Sequence, residues 1–263
     1  MIERYMYQDI IQFKMGRAVN NQVLYWAAVY LVDGLLIDTG PAHTAHELLA
    51  ELRREKVEKA VNTHYHEDHI GGNALLQREL GIEIFAPVKS IERIAAKPAL
   101  YPYQELVWGC PEPSRPNPLG KEVRTGKYRF EVIETPGHSD DHVVFWLPEK
   151  GWLFAGDLFV SETPKTARPE DNQGEIIASL QKVHRLHPQV LFTGLGNIVE
   201  EATGALARTI LYLERIRDQV DRFKAQGFTP AQMVREIFGR ESALKELTQG
   251  QFSSENFVRS FDK

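Results

Sequence analysis

His64-Tyr65-His66-Glu67-Asp68-His69, followed by Ile70-Gly71-Gly72, decides the reading of this chain. Three imidazoles and an aspartate fall within six residues. The run lies between a short apolar stretch of strand character, 59–63, and a stretch of helical character, 70–80, that ends on the capping residue Gly81. Imidazole suits zinc and other borderline metals, and carboxylate adds a hard, anionic ligand. His64 and His66 are two apart, so an extended chain projects them to one side. Asp68 and His69 fall where the chain turns into the helix and can point elsewhere, which leaves room for two neighbouring metal positions. Gly71 and Gly72 carry no side chains and let the helix pack close to the site. A lone histidine is more often structural than ligating. Three with an aspartate inside one short run read as a ligand set.

Two other strand ends carry the same residue types. Thr135-Pro136-Gly137-His138 follows a strand at 128–134, with Ser139-Asp140-Asp141-His142 directly after it. Ala155-Gly156-Asp157 closes a strand that begins at Trp152. In layered sheet folds, strand ends gather at one edge, and sites form there.

The remaining pattern is mixed. Residues 23–32 and 35–37 read as a hairpin interrupted at Gly34, running into the turn Asp38-Thr39-Gly40-Pro41. Leu48, Leu49 and Leu52 share one face of a helix at 44–56. A strand at 82–86 and a short helix at 88–96 follow. Residues 98–120 are rich in proline and aromatics (Tyr101, Tyr103, Trp108) and read as a long structured loop. A strand at 142–147, a helix at 174–187 stopped by Pro188 and a strand at 190–192 complete the mixed part. Beyond Glu200 the chain is helical: 202–226, then a helix capped by Thr229-Pro230 and closed at Gly239, then two short helices. Residues 1–200 are expected to form the core and 201–263 a helical extension packed on it.

Composition narrows the function. The 263 residues are 43% hydrophobic and 25% charged, with net charge -5, which disfavours a general nucleic-acid binder. The single cysteine, Cys110, rules out an internal disulfide. The N-terminus lacks the layout of a secretory signal, and no apolar run approaches bilayer length. The expectation is a cytoplasmic protein acting on a small molecule, with no membrane contact; a homodimer stays open.

His64–His69 with Gly71-Gly72, Leu36-Ile37-Asp38-Thr39-Gly40, Thr135-Pro136-Gly137-His138 and Ala155-Gly156-Asp157 together resemble the metallo-β-lactamase superfamily, in particular its glyoxalase II-like group, over the first three quarters of the chain. The resemblance implies an α/β fold, an αββα sandwich with a metal centre at one edge. It implies that His64, His66 and His138 hold one ion, that Asp68 and His69 hold a second, and that Asp157 bridges both. Asp38 would orient the histidine loop. One position departs from the pattern. In Thr193-Gly194-Leu195-Gly196-Asn197, leucine stands where such proteins have a further histidine. Leucine cannot ligate, so the second position is one donor short unless water or Asn197 fills it. The expected cofactor is a divalent metal, zinc first and iron or manganese as alternatives, as one or two ions.

The expected chemistry is attack by a metal-bound hydroxide on an ester, thioester or lactone, with Asp68 orienting it and taking its proton. His142 either donates to substrate or pins its own turn. The aromatic loop at 98–120 and the C-terminal helices are candidates to wall an apolar pocket. Three rival readings are a mononuclear iron dioxygenase using His64, His138 and Asp157, a phosphodiesterase or ribonuclease, and a non-catalytic metal-binding protein. His43, His46, His184, His187 and Cys110 match no motif and are read as structural or solvated.

Overall fold

The computed structural model describes residues 1–20 and 22–263. Its first fifteen residues, which the sequence pattern left unassigned, form β1 (Ile2–Tyr7) and β2 (Ile10–Met15). A short paired segment, β3 (Ala18–Val19) with β4 (Gln22–Val23), precedes β5 (Ala27–Val32) and β6 (Leu35–Ile37). Between β5 and β6, Asp33 and Gly34 both take positive φ, 46° and 82°, the left-handed pair that a two-residue hairpin turn needs. The strand expected from residue 23 starts only at Ala27.

The chain continues through α1 (Ala45–Leu52), β7 (Lys59–Val61), α2 (Glu67–Ile70), α3 (Asn73–Leu80) and β8 (Glu83–Ala86). The helix expected over 70–80 begins only at Asn73; Ile70 belongs to α2, and Gly71-Gly72 lie between the two. The packing at this junction is close. A Cβ on Gly71 would lie 2.2 Å from the Ala42 backbone nitrogen, so the chain crosses the 39–42 turn at a distance only glycine permits. The 98–120 segment is less irregular than its prolines suggest. After α4 (Ile91–Ala95) it contains α5 (Pro102–Val107) and β9 (Asn117–Pro118). Pro102 opens α5 instead of breaking it, because the first helical position has no N–H to lose.

The second half comprises β10 (Glu122–Arg124), β11 (Arg129–Glu134), β12 (Val143–Leu147), β13 (Trp152–Gly156), α6 (Gln173–His184), β14 (Val190–Thr193) and β15 (Ile198–Val199). Four helices end the chain: α7 (Ala202–Ala225), α8 (Pro230–Phe238), α9 (Leu244–Leu247) and α10 (Ser254–Arg259).

Besides the β3-β4 pair, two large sheets result, ordered β1-β2-β5-β6-β7-β8-β9 and β10-β11-β12-β13-β14-β15. Their inner faces meet through Val32, Leu35, Ile37 and Val61 on one side and Phe130, Phe145, Phe154 and Phe192 on the other. Burying side chains of this size is the main drive for the sheets to stack. The outer face of the first sheet packs on α1 and α3 through Leu48, Leu52 and Leu76. The outer face of the second packs on α6, α7, α8 and α10 through Leu180, Leu206, Leu213, Val234 and Phe257. Helices therefore flank a two-sheet sandwich on both sides, the αββα order. Among the described residues, no helix is long and apolar enough to cross a membrane.

Candidate metal centre

β6, β7 and β8 run parallel, as do β13 and β14. Their carboxyl ends, with that of β11, deliver Asp38, the histidine run, His138, Asp157 and the 193–197 turn to one edge of the sandwich. Backbone bonds across the sheets clamp that edge: the Val143 N–H donates to the Thr63 carbonyl at 2.9 Å, and the Ala28 N–H to the Gly194 carbonyl at 2.7 Å.

His64, His66 and His138 are brought together. His66 Nδ1 lies 2.9 Å from both His64 Nε2 and His138 Nε2. Among the described residues, these three donor atoms form one of two groups able to hold a metal ion; His64, His69 and Asp157 form the other. Asp157 reaches both ways, with Oδ2 3.4 Å from His138 Nε2 and Oδ1 3.4 Å from His69 Nε2. Asp68 stands on the His69 side, its Oδ2 3.8 Å from His69 Nε2.

The outward nitrogens of these rings are fixed by neighbours. Asp38 accepts the Thr63 backbone N–H at 2.8 Å and the Thr63 hydroxyl at 2.9 Å, and its Oδ2 takes His69 Nδ1 at 2.7 Å. The Thr63 hydroxyl then lies 2.9 Å from His64 Nδ1. Those contacts engage the Nδ1 atoms as donors and turn both Nε2 atoms inward, where on His69 a bound cation would take the place of a second proton. His138 Nδ1 lies 3.7 Å from the buried carboxylate of Asp171.

Burial sets the charges. It holds His64 and His66 well below the ordinary imidazole range and takes His138 down to about 4, so all three present neutral nitrogens. Burial also pushes Asp68 up to about 7. At His69 burial works against the cation, but the Asp38, Asp68 and Asp157 carboxylates outweigh it and hold the ring well above its usual range. At Asp157 burial is overcome by His69, His138 and His142, which hold the carboxyl below its usual range.

Four side-chain atoms of the histidine run and Asp157 are buried without any hydrogen-bond partner: His66 Nε2, Asp68 Oδ1, His69 Nε2 and Asp157 Oδ1. An orphaned buried group costs about 1–3 kcal/mol, and four at one edge are a debt a divalent cation discharges on three of them. His66 Nε2 is the exception, because Nδ1 is its inward atom. The donor set, imidazole with carboxylate, fits that cation.

His142 is brought to the centre but not to its open side. It is buried; Nδ1 meets the Thr135 hydroxyl at 2.8 Å, and Nε2 accepts the Asp157 backbone N–H at 3.2 Å. Leu195 is half-buried in the turn after β14. Its neighbour Gly194 packs on the centre so closely that a Cβ there would lie 2.2 Å from Asp157 Oδ1. Asn197 is exposed and lines a surface hollow with Gln12 and Lys14.

Three residues at the site carried no legible signal. Arg168 is buried between the rings of Trp108 and Phe252, and its Nη2 lies 3.2 Å from Glu67 Oε1. Glu67 sits within the histidine run yet turns away to Arg168 and to Gln104, whose Nε2 donates to Oε1 at 2.7 Å. Asp171 approaches His138 from the loop before α6. No spacing links residues 168 and 171 to the run; only the fold does.

Residues 27–195 match the family model of the metallo-beta-lactamase superfamily. The chain belongs to that superfamily, and its centre is a site for divalent metal. It is 34% identical to the beta-lactamase-like protein 2 homolog of Drosophila melanogaster over 210 residues, 73% of this chain and 64% of that protein. It is 30% identical to the atrochrysone carboxyl ACP thioesterase of Aspergillus fumigatus over 226 residues, 79% of this chain and 65% of that one. A hydroxyacylglutathione hydrolase of Legionella pneumophila is 28% identical over 138 residues, 52% of this chain and 47% of that one. In each case the chain spans less than two thirds of the relative's own length. The solved metallo-beta-lactamase from Pontibacter korlensis superposes with a TM-score of 0.63 at 19% identity, covering 81% of this chain and 99% of that one. A metallo-beta-lactamase family protein of Thermus thermophilus gives 0.64 at 18%, covering 95% and 90%. These likenesses establish the fold.

Proposed function

We propose that the protein is a metal-dependent hydrolase of small-molecule thioesters and related esters or lactones, with zinc as its ion. Residues 1–200 would carry the chemistry, and 201–263 would be an extension packed on them. The observation that carries the reading is the convergence of His64 Nε2, His66 Nδ1 and His138 Nε2 beside a carboxylate, Asp157, that reaches toward a second position. The names of relatives that are thioester hydrolases support the substrate class. A soluble cytoplasmic setting goes with it.

His64, His66 and His138 would hold the first ion, with Asp157 shared between it and a weaker second position at Asp68 and His69. A divalent ion there polarises a carbonyl oxygen and lowers the pKa of water to about 7. Asp68 has an oxygen free of hydrogen bonds at the same edge, so it can orient a water and accept its proton. Asp38 and Thr63 keep the rings turned. His142 takes a positioning role, because both its nitrogens are engaged and it anchors the Asp157 backbone.

The test is a panel of S-2-hydroxyacylglutathiones and acyl thioesters of N-acetylcysteamine, with metal content measured on the same preparation. Hydrolysis should require the metal and fall at least about 100-fold in His66→Ala and Asp68→Ala, both still folded by circular dichroism. Full activity in either variant, or one equivalent of iron with thiol-dependent oxygen uptake, overturns the reading.

A further inference from the structure

A cavity of about 560 Å³ opens beside the centre, with His66 and Glu67 in its wall. The segment leading into α5 adds Tyr101, and the C-terminal part of the chain adds Gln251. Residues 168–170 close another side, and the same short segment runs on through Asp171 into α6. Three attachments seat it. Ala167 and Ser253 exchange N–H to carbonyl bonds of 3.1 and 3.2 Å, which ties it to the C-terminal part of the chain. The Arg168 guanidinium carbon lies 5.7 Å from the Trp108 ring centre and 5.1 Å from that of Phe252, and its Nη2 reaches Glu67. The Asn172 N–H donates to the Gly137 carbonyl at 2.8 Å, next door to His138.

That last attachment is close. Gly137 has a φ of 134°, and a Cβ on it would lie 2.5 Å from the Ile176 backbone nitrogen. The first turn of α6 and the residue before His138 therefore meet through bare backbone. His138 and Asp171 are held in a fixed relation by this contact, and both side chains are buried. Asp171 Oδ2 accepts the Arg168 backbone N–H at 3.2 Å, which accounts for one oxygen. Oδ1 has no hydrogen-bond partner, and it is the oxygen that lies 3.7 Å from His138 Nδ1. The separation exceeds a hydrogen bond by about half an ångström, a gap that a small turn of either side chain closes. An asparagine would serve the Arg168 N–H without the cost of a buried carboxyl, whose pKa burial raises to about 8.

Two rings of the centre already have an outward partner for Nδ1: the Thr63 hydroxyl for His64 and Asp38 for His69. His138 turns Nε2 toward His66 and Asp157, so its proton belongs on Nδ1, on the side of Asp171. We propose that Asp171 is a positioning residue of the metal centre, whose free oxygen accepts the His138 Nδ1–H and fixes the ring with Nε2 toward the ion. The inference rests on His138 as a metal ligand and on no particular substrate.

The experiment titrates zinc against a chromophoric chelator in the unaltered protein, Asp171→Asn, Asp171→Ala and His138→Gln. Asparagine has one acceptor oxygen and cannot serve both neighbours. If it keeps the Arg168 N–H, its NH₂ faces His138 Nδ1 and drives the ring proton onto Nε2, where the ion belongs. Zinc affinity should therefore fall about 10- to 100-fold in Asp171→Asn as well as in Asp171→Ala. Unchanged affinity in Asp171→Asn, with His138→Gln weakened, overturns the inference alone and leaves Asp171 a turn-former. Unchanged affinity in His138→Gln overturns it together with the ligand assignment. A second readout does not depend on any variant folding: nitrogen-15 spectra of histidine-labelled, zinc-loaded protein. His138 should carry a proton on Nδ1 that exchanges slowly with solvent. A bare Nδ1, or a proton exchanging as fast as that of free imidazole, overturns the inference whatever the zinc affinities are.

Discussion

Asp38 holds both ends of the histidine run: one oxygen accepts the Thr63 N–H at 2.8 Å, and the other lies 2.7 Å from His69 Nδ1. Its own backbone sits at φ 61°, a left-handed conformation that aspartate and asparagine tolerate better than most residues. Asp38→Asn should therefore keep the fold but present an amide N–H₂ where a donor now points. Metal affinity, measured by competition with a chromophoric chelator, should fall about 10- to 100-fold. An unchanged affinity would show that Asp38 only shapes its turn.

Leu195 invites the opposite experiment. The turn that carries it is tied to the centre, with the Gly194 N–H donating to the Gly156 carbonyl at 2.8 Å. Leu195→His should supply the donor that the Asp68 and His69 position lacks. Metal content by mass spectrometry should rise from about one ion per chain toward two, with the second bound at least about tenfold tighter than in the parent. No rise would mean that residue 195 does not face the centre.

Gly194 tests how tightly the edge is packed. A methyl at 2.2 Å from Asp157 Oδ1 cannot be accommodated without moving that carboxylate. In Gly194→Ala, metal binding should fall by about tenfold or more, and the proposed hydrolysis with it, while the bulk of the fold survives in circular dichroism. Loss of activity with metal affinity intact would place the strain elsewhere.

His142 makes a prediction about acid. Burial holds its ring neutral down to about 3, whereas an unfolded chain takes up that proton near 6.5. Between those values the unfolded state carries the extra proton, so stability falls as pH drops, by up to about 1.4 kcal/mol per pH unit for this group. His142→Gln removes the titration. Denaturant melts of metal-free protein from pH 7 to 4 should show a shallower decline in the variant than in the parent. His138, taken down to about 4, adds a decline of its own that the substitution leaves in place. Parallel curves would rule out this account of His142.

What the sequence disclosed and withheld follows from how local each feature is. The His64–His69 run, His138 and Asp157 were readable because strand ends and turns place their donors by short-range geometry. The hairpin at Asp33-Gly34 and the caps at Gly81 and Thr229 were readable for the same reason. α5 stayed hidden because Pro102 reads as a breaker until one knows it occupies the first helical position. β1 and β2 stayed hidden because the polar Gln12 breaks the apolar run of a strand whose neighbour faces solvent; in the fold its amide reaches the Tyr30 hydroxyl at 3.2 Å and the Gly196 carbonyl at 2.9 Å. Arg168 meets Glu67, and Asp171 meets His138, only through tertiary packing, and no pattern along the chain could have announced them.

The bridge between Ala167 and Ser253 has a consequence for how such proteins diverge. It fastens a wall of the cavity to a stretch of chain outside the region shared with the family model, which ends at residue 195. Substitutions near the C-terminus can reshape what enters while every residue around the ion stays as it is. Two chains with the same histidine run can then part in what they cleave, and a classification built on that run would file them together.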